Sequence, residues 1–160
     1  MELELYPEQV IQGQTHFLSH ALRCQLEKII TSHTCHSDFQ IQPALLPLKE
    51  HFLAILLKEL IENAAQFAPS QSTIQMHSFL QDGFLHIDIH NIGPGIPPED
   101  LARLMTAMPL RPSQKSGLGM GLPIVQKIVD LVGGLFQLSS ICGHKTTASV
   151  ILPILTESLE

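Results

Sequence analysis

The chain has 160 residues, enough for one domain of ordinary size. Apolar residues make up 44% of it and charged residues 15%, which excludes intrinsic disorder, a state of low hydrophobicity and high charge. With 15 acids against 9 bases the net charge is −6, which argues against a nucleic-acid partner, because such domains are as a rule basic.

The start, Met1-Glu2-Leu3-Glu4, is acidic and lacks the basic n-region of a secretion signal. From Tyr6 to Ser32 a loose apolar stripe that includes Val10, Phe17, Ala21 and Ile29 predicts a helix begun at Pro7-Glu8. His33 to Asp38 reads as a polar turn, and Phe39-Gln40-Ile41 as a short strand. His33, Cys35 and His36 invite a zinc reading, but the matching second pair of a structural zinc site is missing, so a polar loop is expected. A second helix is predicted from about Leu48 to Phe67, with a broad apolar face ended by Pro69. Its most apolar run, Phe52 to Ile61, is broken by Lys58 and Glu59, whereas a membrane span needs ~20 mainly apolar residues.

Thr73–Leu80 and Phe84–His90, separated by Gln81-Asp82-Gly83, predict a hairpin. A loop, Asn91 to Pro98, and a short helix near Glu99–Met105 follow, and Met108–Ser116 is irregular. Three alternate glycines open a third helix, predicted over Leu122–Val132, with Pro123 at its first turn and Gly133-Gly134 beyond its end. Leu135–Ile141 and Thr146–Leu152 close the chain as a second strand pair. Short links favour antiparallel pairing, so the expected fold class is α+β, a two-layer sandwich of helices on a mixed, mostly antiparallel sheet. Three cysteines, Cys24, Cys35 and Cys142, form no CxxC pair and read as reduced thiols of a cytoplasmic protein.

Three segments carry chemistry. In Glu59-Leu60-Ile61-Glu62-Asn63-Ala64, Glu59 and Asn63 stand four apart on one helix face. A carboxylate there can take a proton or orient a nucleophile, and an amide oxygen can ligate a hard cation; a pair of solvated polar residues is the plainer reading. In Asn91-Ile92-Gly93-Pro94-Gly95-Ile96 the glycines permit close backbone approach at a strand end, although turns also carry such residues. In Lys115-Ser116-Gly117-Leu118-Gly119-Met120-Gly121-Leu122, bare backbone amides precede a helix, the usual make-up of a phosphate cradle. It is neither a Walker A loop nor part of a βαβ dinucleotide unit.

The ordered set ELIENA, NIGPGI and GLGMGL, with PIVQKIVDLVGG and TTASVILP behind it, resembles the ATP-binding domain of sensor histidine kinases. That superfamily also includes DNA gyrase, the heat-shock chaperone ATPase and the mismatch-repair ATPases. The resemblance covers roughly Phe39 to Pro153. It implies the Bergerat-type ATP-binding sandwich and a single catalytic domain over 1–160, with an N-terminal helical part (1–38) and a core (39–153) that carries the three boxes. It implies ATP and Mg²⁺, with Asn63 on the metal and Glu59 as the catalytic carboxylate. Asn91 stands where the family has an adenine-binding aspartate, flanked by Gly93, Gly95 and Ile96. Lys115, Gly117, Leu118, Gly119, Met120, Gly121 and Leu122 would surround the phosphates, and Thr146 or Thr147 would lie near adenine. Gln66 occupies a place where the family has a phosphate-binding base. Arg111 or Lys115 is expected to replace that cation, with Arg103 a further base of the same segment.

The activity implied is transfer of the ATP γ-phosphate to a histidine on a dimerisation domain outside this chain, with a response regulator as further partner. Ser19-His20-Ala21-Leu22-Arg23 is similar to a phosphoacceptor motif. The stretch from His20 to Asn63 is, however, too short for two long hairpin helices, so His20 is read as an ordinary residue of the first helix. A monomer in isolation is expected, with no nucleic acid or membrane contact. Two rival readings are a degenerate module that docks on a partner kinase, and a serine kinase of the anti-sigma-factor type, against which the GLGMGL box argues.

Overall fold

The structure is a computed structural model that describes residues 11–105, 118–141 and 143–156. In chain order its elements are β1 (Thr15–Phe17), α1 (His20–Ser32), β2 (His36–Gln40), β3 (Ala44–Leu46), α2 (Glu50–Phe67), β4 (Thr73–Gln81) and β5 (Phe84–Ile92). These are followed by α3 (Pro98–Met105), α4 (Leu118–Leu131), β6 (Leu135–Ile141) and β7 (Lys145–Pro153).

The helical reading of the N-terminal third is corrected. No continuous helix joins Tyr6 to Ser32: β1 lies inside that span, paired antiparallel with β3, and residues 1–10 lie outside the described residues. Gly13 and β-branched Thr15 weaken helix propensity there, and Ser19 starts a fresh helix. The Ser19 hydroxyl accepts the Leu22 N–H at 3.2 Å, a side-chain N-cap, and donates to Glu50 Oε1 at 2.8 Å, tying the start of α1 to the start of α2. Ser19-His20 is thus a cap and first turn within this domain. The polar turn expected over His33–Asp38 is also partly strand, because β2 pairs in parallel with β4 from His36 onward. The boundary expected between residues 38 and 39 therefore falls inside β2.

The main sheet has five strands in the order β2-β4-β5-β7-β6, antiparallel except for β2 against β4. Period-two alternation sends Ile74, Met76, Leu85, Ile87, Ile89, Ala148, Val150 and Leu152 to one face, where they are buried. Onto that face packs α2, which buries Phe52, Leu53, Leu56, Leu57, Leu60 and Ile61. Helix α1 adds Leu22, Leu26 and Ile30 at four-residue spacing, and α4 adds Val125, Ile128 and Val129. One hydrophobic core runs through all of these, from Ile11 to Leu152. The α+β two-layer class is the observed one. Among the described residues no helix is long and apolar enough to cross a membrane.

Helix α4 starts four residues before its expected start at Leu122, so Pro123 lies inside it. The low helix propensity of glycine hid the first turn from the sequence. Pro123 cannot donate to the carbonyl of Gly119, so that turn is held by one hydrogen bond fewer.

Candidate functional site

Between α2, α4 and the inner face of β5, β7 and β6 lies a slot with an empty volume of ≈ 340 Å³, counting its open mouth. Leu60, Ala64, Phe67, Ile89, Leu122, Leu138 and Ala148 make its walls largely apolar. Asn63, Asn91 and Thr146 supply side-chain polar groups. An apolar slot with a few convergent polar groups is the usual make-up of a small-molecule site.

The sheet register positions two of those groups. Asn91 and Thr146 are cross-strand partners on the buried face, 2% and 5% exposed. Asn63 stands on α2, one turn before Gln66. The Nδ2 atoms of Asn63 and Asn91 and the Oε1 of Gln66 are buried without a hydrogen-bond partner among the described residues. An orphaned buried polar group costs about 1–3 kcal/mol, and native folds leave few of them. Two of these three belong to side chains that line the slot.

The loop after β5 forms the rim. A Cβ at Gly93 would lie 2.8 Å from the Phe67 carbonyl oxygen, so only glycine lets the loop pass this close to the end of α2. The Gly93 N–H donates to the His144 carbonyl at 2.9 Å, and Gly143 N–H to the Pro94 carbonyl at 2.8 Å, fastening the rim to the β6–β7 turn. Gly95 has φ +78, and Ile96, 4% exposed, donates its N–H to Ser140 Oγ at 2.7 Å. Ser140 in turn stands 3.3 Å from Thr146 Oγ1.

On the other side of the slot Gly121 presses on Glu59. A Cβ there would collide with Glu59 Oε2 and lie 3.1 Å from its Cδ. Burial pushes the Glu59 carboxyl above its ordinary range, and neighbouring Glu62 adds to the rise. Glu59 thus lies beside the first turn of α4 with a carboxyl more basic than usual.

Of the residues expected from the sequence, Asn63, Asn91, Ile96, Leu122 and Thr146 line the slot, Gly93 and Gly95 form its rim, and Glu59 and Gly121 meet beside it. Leu118, Gly119 and Met120 belong to the first turn of α4. Lys115, Gly117 and Arg111 lie outside the described residues. Thr147 is a correction. One residue past Thr146 on a strand, it points to the opposite face, where it meets His90 Nδ1 at 2.9 Å. Burial depresses His90 below the usual histidine range, and Asp88 opposes this.

Ser140 escaped the sequence reading. Its signal was a polar residue in register with Phe136 and Leu138 on the inner side of β6. Cys35 is buried against the α2–β4 connection, with Sγ 3.5 Å from the Pro69 carbonyl, whereas His36 is exposed. His20 stands at the start of α1, with Nε2 3.5 Å from Cys24 Sγ.

Residues 48–156 match the family described as histidine kinase-, DNA gyrase B- and HSP90-like ATPase. The signal transduction histidine-protein kinase ArlS of Staphylococcus epidermidis is 30% identical over 134 residues, 81% of this chain and 29% of its own length. The histidine protein kinase DivJ of Caulobacter vibrioides is 36% identical over 110 residues, 62% of this chain and 17% of its own. The chain thus spans less than a third of the curated relatives it matches. Among solved structures, a mycobacterial sensor histidine kinase, MprB, superposes with a TM-score of 0.77 at 20% identity, covering 90% of this chain and 98% of that one.

Proposed function

We propose, for a chain that belongs to the histidine kinase-, DNA gyrase B- and HSP90-like ATPase family, that the slot binds Mg²⁺–ATP and presents its γ-phosphate to a histidine of a phosphoacceptor domain outside residues 1–160. The observation that carries this is the convergence of two carboxamide side chains, each with a buried Nδ2 that has no partner among the described residues, on one apolar slot beside a glycine-rich helix start. In this reading adenine takes the apolar part, with Asn91 and Thr146 as polar anchors. The sugar and phosphates run toward the first turn of α4, whose amides and positive end favour anions.

Asn63 is the metal ligand of this reading. Its amide oxygen is of the hard-donor class that Mg²⁺ selects, so Asn63 is the residue that would hold the ion. When bound, the ion neutralises phosphate charge and orients the chain of phosphates. Glu59 takes the proton of the attacking imidazole or holds that ring in position, as its raised basicity suits. Phosphoryl transfer asks little covalent chemistry of the protein beyond such positioning. A cation that Gln66 does not supply comes from the 106–117 segment, with Arg111 or Lys115 the bases proposed. A response regulator receives the phosphate afterwards, and the site works on the cytoplasmic side.

Isothermal titration tests the reading. The chain should bind ATP more tightly with Mg²⁺ than with chelator, and Asn63→Ala should lose at least ~10-fold, the Mg²⁺ effect vanishing with it. No binding at millimolar ATP would leave the docking-module reading, which an uncharged Gln66 in place of a base favours. Labelled ATP with a purified dimerisation hairpin then tests transfer to histidine.

A further inference from the structure

Asn91 differs from a carboxylate in one respect that its surroundings make consequential. A carboxylate at this place only accepts hydrogen bonds, whereas a carboxamide has an acceptor oxygen and two N–H donors. Asn91 is 2% exposed, lines the slot and pairs across the strands with Thr146. Its Nδ2 is buried with no partner among the described residues. An acceptor on a bound molecule removes the cost of that orphaned donor.

Its polar neighbour is equally undirected. Ser140 Oγ receives the Ile96 N–H at 2.7 Å, and its own proton has two acceptors within reach, the Lys145 carbonyl at 3.4 Å and Thr146 Oγ1 at 3.3 Å. When Ser140 donates to Thr146, the Thr146 proton can turn into the slot. When Thr146 donates to Ser140, a Thr146 lone pair faces the slot instead. Both side-chain anchors of the slot can therefore switch between giving and taking a hydrogen bond.

We propose that this pair admits purine nucleotides with a 6-oxo group as well as those with a 6-amino group, so the phosphoryl donor is a purine nucleoside triphosphate rather than ATP alone. The inference rests on the reading of the slot as a purine pocket. A 6-amino base offers a donor at position 6 and an acceptor at N1; a 6-oxo base offers the reverse. Asn91 meets the 6-oxo oxygen with Nδ2 and, after a half-turn about χ2, the 6-amino group with Oδ1. The Thr146 hydroxyl reverses with it. A carboxylate in place of Asn91 sets lone pairs against the 6-oxo oxygen and rejects that base.

Inosine triphosphate isolates the effect, since its base carries the 6-oxo group and no other exocyclic substituent. Titrated into the chain with Mg²⁺, it should bind within ~10-fold of ATP, while Asn91→Asp should prefer ATP by ~100-fold or more, as sites that hydrogen-bond a ligand group reject analogues without it. Wild type that binds ATP but discriminates ~100-fold against inosine triphosphate overturns the inference and leaves the proposed function intact. Wild type that binds neither overturns both. Equal binding of the two nucleotides by Asn91→Asp as well removes Asn91 as the cause. The wild-type ratio decides on its own if the variant does not fold.

Discussion

At Glu59 the chemistry of one residue and the stability of the whole chain pull in opposite directions. Its carboxyl is lifted above the ordinary value of 4.5, by burial first and Glu62 second, so the ionised form is disfavoured in the folded state. As pH rises from 4.5 through the raised folded value, the folded protein holds a proton that the unfolded chain has released. Stability contributed by this group is therefore present below 4.5 and lost as pH rises through that window. Glu59→Gln should melt like wild type at pH below 4.5 and increasingly above it as pH climbs to 7, while phosphoryl transfer falls by ~10²-fold or more. Parallel melting curves across pH would show that burial of the charge costs the fold nothing. The Nδ2 atoms of Asn91 and Asn63 present a neutral form of the same cost, as buried donors without a partner among the described residues.

Between elements, the contact of α2 with α4 rests on Gly121, which gives its side-chain space to the Glu59 carboxylate. Gly121→Ala, read by denaturant titration, should cost the domain no more than about 1 kcal/mol, because the atom it meets is the far end of a flexible side chain and alanine regains about 1 kcal/mol of helix propensity. In a Glu59→Ala background the same change should cost much less, because the group it collides with is gone, and the difference is the coupling of a double-mutant cycle. Equal costs in both backgrounds would move the strain elsewhere. The sheet positions its anchors by register alone: Asn91 opposite Thr146, with Thr147 turned away toward His90. A one-residue slip of β7 would turn Thr146 to the outer face together with Ala148, Val150 and Leu152, which now fill the core.

For the molecule as a whole, one core joins α1, α2, α4 and the five-stranded sheet, so unfolding should be cooperative. Buried Cys35, at the junction of α1 and β2, is a built-in reporter. Its reaction with a thiol reagent should follow the same denaturation curve as circular dichroism. Nucleotide at ~100 times its Kd should move both curves together by about 2.7 kcal/mol. Separate transitions would mean that α1 and β2 form a unit apart from the nucleotide slot.

The sequence by itself determined the helix that carries Glu59 and Asn63, the hairpin of β4 and β5, the closing strands and the family to which the three boxes point. Those features are local: helical and two-residue periods and glycine spacing are written in neighbouring residues. It did not determine the break before Ser19, because β1 exists through pairing with β3, nearly thirty residues away. It left Thr146 and Thr147 undecided, because which of two adjacent strand residues faces the core depends on the register with β5. It passed over Ser140, whose role as the bridge between Ile96 and Thr146 arises only where the rim loop crosses β6. Tertiary structure also decided that Gly121 meets Glu59, since close packing joins atoms that no local rule relates.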